Sequence, residues 1–352
     1  MSTSNEVLSL KFNQNFGCFI CGMNDGIRIF NTEPLVEKLY LNKDTDKVGS
    51  VAIAEMLDRT NLIAVVSGGN FPIIAPNSVL IWDDHLKEFI LEFTFKSKVF
   101  AVKMSSKKLI IVLHNKIHVF SFPDNCQKLF TFDTCDNPKG LCELSTLDEE
   151  CQLLCFPSVK PGFIQVADIS KTEESASKCL KIFQAHKHEI GCLALDHSSH
   201  RLATASVEGT LIRIFEINPK NEIKQLTELR RGMDPALLYS INFSKDGGYL
   251  CASSNRGTIH IYNLQDPQFN RQLKLANLGL NTSNLFDARY SMCTFQIPCE
   301  LPCVCAFGEN CNSVICICVN GSYYKYIFTN DGKTCNRDSY ENFLDLCLGS
   351  EF

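Results

Sequence analysis

The residues best suited to chemistry are two adjacent arginines with matched flanks. Arg230 and Arg231 stand in Leu229-Arg-Arg-Gly232. Upstream is Leu202-Ala-Thr-Ala-Ser206-x-x-Gly209-Thr210-x-x-Arg213, and downstream is Leu250-Cys-Ala-Ser253-Ser254-x-x-Gly257-Thr258-x-His260. A guanidinium offers phosphate a planar fork of donors, and hydroxyls add further hydrogen bonds. Alternation along Thr204-Ala205-Ser206 puts both hydroxyls on one strand face, with Thr210 and Arg213 expected on the partner strand. Ser254, Thr258 and His260 hold the matching places in the downstream copy. Neighbouring residues of an extended chain point to opposite sides, so each copy can receive one arginine. Gly232 and the hairpin glycines let backbone amides approach a ligand closely. His186 and His260 become donors when protonated, which predicts tighter anion binding below about pH 6.5. The same Ser, Thr and His residues also suit structural hydrogen bonds between strands, and spacing alone leaves both uses open.

Composition narrows the setting. The chain has 352 residues, 45% of them apolar and 21% charged, with a net charge of −5. An acidic balance argues against nucleic acid and other general polyanions, so anion recognition has to be local. Nineteen cysteines occur, mostly inside apolar runs such as Cys316-Ile-Cys318, where reduced thiols act as small core residues. Cys18-x-x-Cys21 and the group Cys299, Cys303 and Cys305 lack the second half of a zinc signature, so no metal or cofactor is expected. The opening Met1–Glu6 shows no signal segment, and no apolar run reaches about eighteen residues, which predicts a cytoplasmic protein without a membrane span. Enzyme motifs are missing. Cys251 to Arg256 is one residue short of a Cys-x₅-Arg loop, and His186-Lys-His188-Glu189 is not H-E-x-x-H.

The elements that must position the arginines repeat along the chain. Third strands of alternating pattern end at Phe30, Trp82, Phe120, Ala167, Phe215, Tyr262 and Ile327, seven in all. Each follows a nearly continuous apolar run, and turn residues such as Asp25-Gly26, Glu208-Gly209 and Arg256-Gly257 usually separate the two. The intervals between equivalent positions are 52, 38, 47, 48, 47 and 65 residues. Periods near forty to fifty predict an all-β, seven-bladed β-propeller with degenerate WD repeats, because a single blade cannot bury both faces alone. Only Trp82-Asp83 keeps the WD dipeptide. The whole chain, 1–352, reads as one such ring, with blades near 5–45, 48–96, 97–134, 135–184, 185–230, 233–300 and 301–330, and a less periodic tail at 331–352 that either closes the ring or trails from it. The long sixth interval locates an insertion at 265–290. It mixes Arg271 and Lys274 with Leu278, Leu280 and Phe286, which suits either a bilayer interface or a loop packed on its own blade.

Leu229-Arg-Arg-Gly232 between blades five and six resembles the L/F-R-R-G motif of the PROPPINs, propellers that bind phosphoinositides. Asn77-Ser-Val-Leu-Ile-Trp-Asp-Asp84, Phe122-Pro-Asp-Asn125, Asp136-Asn-Pro-Lys-Gly140, Gly209-Thr-Leu-Ile-Arg213 and Asn242-Phe-Ser244 resemble the WIPI branch, and within it the WD-repeat forty-five type. The resemblance implies a monomeric, non-enzymatic autophagy scaffold. It implies binding of phosphatidylinositol 3-phosphate and 3,5-bisphosphate at preautophagosomal membranes. By position, it assigns one pocket to His186, Thr204, Ser206, Thr210, Arg213 and Arg230. It assigns a second to Arg231, Ser253, Ser254, Thr258 and His260. The insertion matches the family's membrane-inserting loop. A large autophagy lipid-transfer protein is the implied partner, with Asn13, Asn15 and the edge of blades two and three as candidate contacts.

Overall fold

The apolar second strands and alternating third strands form hairpins where the pattern places them. Cys18–Met23 pairs with Gly26–Asn31, Leu62–Ser67 with Ser78–Asp83, and Arg201–Ser206 with Leu211–Glu216. The computed structural model describes residues 6–146, 152–170, 181–217, 222–272, 289–298 and 300–346. Its strands make seven sheets, the blades of a β-propeller, antiparallel apart from one short pair in the fifth. Each sheet runs from an innermost first strand to an outer fourth strand. Middle strands such as Cys18–Met23 and Ser313–Cys318 are buried throughout, whereas the outer strand Val36–Asn42 alternates between exposed and covered.

The core is divided in the same way. Buried apolar residues gather in seven clusters, one at each seam between adjacent blades. Successive residues of one strand therefore serve different seams. Cys18 joins the cluster between blades one and two, while Cys21 joins the one between blades seven and one. Their thiols point apart and cannot chelate one ion. Burial pushes the Cys142 and Cys192 thiols up to about 12, which keeps them protonated and unreactive.

Blade seven decides between the two readings of the tail. The segment expected as a tail supplies its outer strand, Cys335–Asn342, followed by the short helix Phe343–Leu346. The strand is mostly exposed and polar, so it carries no apolar alternation to announce it. Phe343 packs with Phe19 and Phe30 of blade one. Tyr323 Oη donates to the Thr32 carbonyl at 3.0 Å, and Lys325 pairs with Glu33 at 2.9 Å. These contacts close the ring.

Candidate functional site

Blade five begins the site. Leu202 packs toward blade four and Ala203 and Ala205 pack toward blade six, so Thr204 and Ser206 face blade four. On the third strand Ile212 and Ile214 face blade six, which turns Arg213 toward blade four. His186, in the link from blade four, lies within 2.9 Å of the Thr204 hydroxyl through Nε2. Arg213 donates from Nη1 to the Ala185 carbonyl at 2.7 Å and pairs with Glu228 at 2.8 Å. Thr210 departs from expectation. It stands in the turn rather than on the strand, and its carbonyl accepts the Arg231 amide at 2.9 Å.

Blade six repeats the plan one seam further on. Leu250, Ala252 and Tyr262 pack toward blade five, so Ser254, Thr258 and His260 face the same seam. Ser253 does not. It points to blade seven, where its hydroxyl donates to the Cys303 carbonyl at 2.9 Å and meets Ser240 Oγ at 2.8 Å. Placing Ser253 in the pocket is thus corrected: adjacent residues of one strand cannot share a face. Blade five also carries one more residue in its hairpin turn than blade six. Arg213 of one blade and His260 of the other therefore hold equivalent third-strand positions.

The two arginines sit where these seams meet. Arg230 ends the outer strand Lys224–Arg230, paired with Leu211 on the face that carries Arg213. Leu229 is buried in the opposite seam. Arg231 follows on that opposite side. Its Nε donates to the Gly209 carbonyl at 2.8 Å, and its Nη2 donates to the Asp234 carbonyl. Gly209 has φ +61°, and a Cβ there would collide with the Ala236 carbonyl, so the turn that receives Arg231 requires glycine. A Cβ at Gly232, in contrast, meets nothing within 4 Å. Packing does not demand glycine at 232, and the space before it is open.

Both guanidinia are unusual in their company. Each arginine is only 8% exposed, yet among the described residues neither forms an ion pair with a carboxylate. Among the described residues Arg230 Nε is buried with no hydrogen-bond partner, and Nη1 reaches only the Met233 sulfur, at 3.9 Å. An unsatisfied buried donor of this kind is costly, and an anion would relieve it. The histidines are tuned the other way from expectation. Burial and then Arg213 push the His186 imidazole down to about 4, and burial followed by Arg231 and Arg271 does the same to His260. Both are therefore neutral near pH 6 in the folded chain, so tighter anion binding on their protonation is expected to set in at a lower pH than about 6.5.

The structure adds residues that spacing did not show. Arg289–Tyr290, the returning end of the insertion, joins blade five as a fifth strand, parallel to Leu229-Arg230. The Tyr290 amide donates to the Arg271 carbonyl at 2.8 Å, which closes the base of the insertion beside the arginines. Arg271 Nε donates to the Met292 carbonyl at 3.3 Å, next to Ser291, whose hydroxyl lies 3.2 Å from His260 Nδ1. Arg271 is thus placed at the edge of the second pocket. Lys274, Leu278, Leu280 and Phe286 lie outside the described residues.

A PROPPIN sequence profile matches residues 7–299. The chain belongs to the PROPPIN family. Autophagy-related protein 18e of Arabidopsis thaliana is 32% identical over 349 residues, which span 97% of this chain and 89% of that protein. The fold of Kluyveromyces lactis Hsv2 with its loop 6CD complete matches with a TM-score of 0.78, at 22% identity, over 97% of this chain and 100% of that one. A complex of KlAtg21 with the coiled-coil of AgAtg16 matches with a TM-score of 0.75, at 25% identity, over 96% and 99%. Membership makes this chain an autophagy-related propeller of the phosphoinositide-binding kind.

The two residues expected to contact a protein partner of this PROPPIN differ in exposure. Asn13 is buried, its amide donating to the Asp58 carbonyl at 3.3 Å and its Oδ1 accepting the Cys18 amide at 3.0 Å. It holds the turn and offers nothing to a partner, which corrects its assignment. Asn15 is exposed, with Oδ1 on the Gly17 amide at 2.9 Å.

Proposed function

We propose that this PROPPIN reads phosphatidylinositol 3-phosphate and 3,5-bisphosphate on autophagic membranes through Leu229–Gly232. In this reading it acts from the cytoplasm as a peripheral, non-enzymatic scaffold at preautophagosomal structures. The observation that carries the reading is the pair of buried guanidinia on opposite sides of one strand end, neither of them ion-paired among the described residues. Each faces a seam lined with hydroxyls and an imidazole: Thr204, Ser206 and His186 for Arg230, and Ser254, Thr258 and His260 for Arg231. Such a set suits phosphomonoesters.

Soluble inositol 1,3-bisphosphate tests the two pockets separately. Titration calorimetry is expected to find two sites in the wild type, and one in either Arg230→Ala/Thr204→Val or Arg231→Ala/Ser254→Ala. Each variant is also expected to weaken vesicle binding at least tenfold, because two-point attachment is lost. A wild type that binds neither headgroup nor vesicle overturns the reading in favour of a propeller that binds only proteins.

The insertion is proposed as the membrane-entering loop. Replacing Leu278, Leu280 and Phe286 with serine is expected to reduce vesicle binding while leaving soluble headgroup affinity intact. Equal loss of both counts against entry. No helix among the described residues is long and apolar enough to cross a membrane. Recruitment of autophagy proteins completes the proposal. The complex of KlAtg21 with the AgAtg16 coiled-coil supports a scaffold role, and the large autophagy lipid-transfer protein is the proposed partner.

A further inference from the structure

Met233 is the most exposed large apolar side chain among the described residues, with 66% of its surface open. It lies two positions beyond Arg231, in the link that carries the chain from blade five to blade six. That link is firmly held. The Ala236 amide donates to the Glu208 carbonyl at 3.0 Å, and the Leu237 amide donates to Asn255 Oδ1 at 3.0 Å. Arg256 Nη2 donates to the Pro235 carbonyl at 3.1 Å. Met233 is therefore raised on a fixed support rather than on a frayed end. Its sulfur accepts from Arg230 Nη1 at 3.9 Å and from Tyr290 Oη at 3.7 Å, so it stands between the arginines and the root of the insertion. Val207, on the hairpin turn of blade five, and Leu237 are exposed on the same rim.

We infer that Met233 is a second apolar anchor, one that enters the hydrocarbon boundary of a lipid surface while Arg230 and Arg231 hold its headgroup phosphates. The inference rests on the headgroup reading above. A phosphate on either guanidinium brings the lipid's glycerol and first methylenes over the link, and apolar side chains enter such an interface by roughly 5–10 Å. The thioether is flexible enough to fit between lipids of varied packing. Exposed Asp234, next in sequence, carries a charge that resists hydrocarbon and confines the entry to the boundary layer. The anchor is short and rigidly based. It thereby fixes the angle of the propeller on the membrane, which a long insertion alone does not.

The chain's one tryptophan makes a direct test available. Trp82 is 2% exposed, within the seam of blades one and two, and serves as an unquenched internal reference. The probe is a phosphatidylcholine vesicle carrying phosphatidylinositol 3-phosphate and bromine-labelled acyl chains. The added tryptophan of Met233→Trp is expected to shift to the blue and be quenched on binding. Met233→Gln, which removes the apolar tip without placing a charge beside Arg230, is expected to bind these vesicles about five- to tenfold more weakly, with unchanged affinity for soluble inositol 1,3-bisphosphate. Met233→Leu should bind as the wild type does. Vesicle binding of Met233→Trp without quenching overturns the inference and leaves the headgroup reading standing. Equal loss of soluble headgroup by Met233→Gln also overturns it, by showing that Met233 only props Arg230. If the wild type binds neither probe, the headgroup reading fails and this inference fails with it.

Discussion

Arg230→Ala combined with Arg231→Ala is expected to abolish flotation with phosphatidylinositol 3-phosphate vesicles while leaving the propeller folded. A charge-assisted hydrogen-bond pair contributes about 1.5–3 kcal/mol, so losing both removes about 3–6 kcal/mol. That corresponds to roughly a hundred- to ten-thousandfold in affinity. The fold tolerates the change because the arginines do little structural work. Arg230 Nε has no partner, so its removal relieves a buried donor. Arg231 gives up bonds to the Gly209 and Asp234 carbonyls, at about 1 kcal/mol each. Leu229, which does hold the seam, is untouched. Circular dichroism and melting temperature serve as the fold control. Flotation undiminished in a folded double variant would sink the reading. Arg→Lys at both positions should recover only part of the binding, since an ammonium keeps the charge and loses the fork.

The ring was legible because its strands are buried on both faces, and burial leaves an apolar run wherever it occurs. Ser313–Cys318 and Leu62–Ser67 could be read from composition alone. Cys335–Asn342 could not, since an outer strand with a wet face and polar residues resembles a loop. Arg289–Tyr290 is too short for any periodicity to show. Within the site, alternation correctly separated Thr204 from Ala205 and Arg230 from Arg231. Where alternation was set aside, the reading failed: Ser253 and Ser254 were assigned to one pocket although they are neighbours on one strand. Thr210 was misplaced because the hairpin of blade five holds an extra residue, and motif alignment does not count turns. Asn13 was a candidate partner contact only beside the family resemblance, and its three-dimensional contact with the Asp58 carbonyl shows that its amide is spent.

The histidines show most clearly how burial changes a residue's chemistry, and they set the protein's response to acid. Both His186 and His260 are held near 4 in the folded chain, against about 6.5 when unfolded. Between these values the unfolded chain binds more protons, so stability rises with pH. The contribution is complete above pH 6.5 and is lost as pH falls toward 4. A shift of this size is worth about 3 kcal/mol for each imidazole, of which about 2 kcal/mol is gone at pH 5. Burial also lowers His118 and His197, which adds in the same direction. Urea unfolding is therefore expected to show roughly 4 kcal/mol less stability at pH 5 than at pH 7 from the two pocket histidines. His186→Gln with His260→Gln should remove most of that difference, and an undiminished pH slope in the double variant would show that other groups carry it. A bound phosphomonoester acts oppositely, because its negative charge beside each ring raises the imidazole pKa. Saturating inositol 1,3-bisphosphate should then flatten the same slope in the wild type. The coupling is physical: burial first, and then Arg213 beside His186 and Arg231 beside His260, disfavour a proton on each imidazole, and an anion in the seam offsets that positive charge.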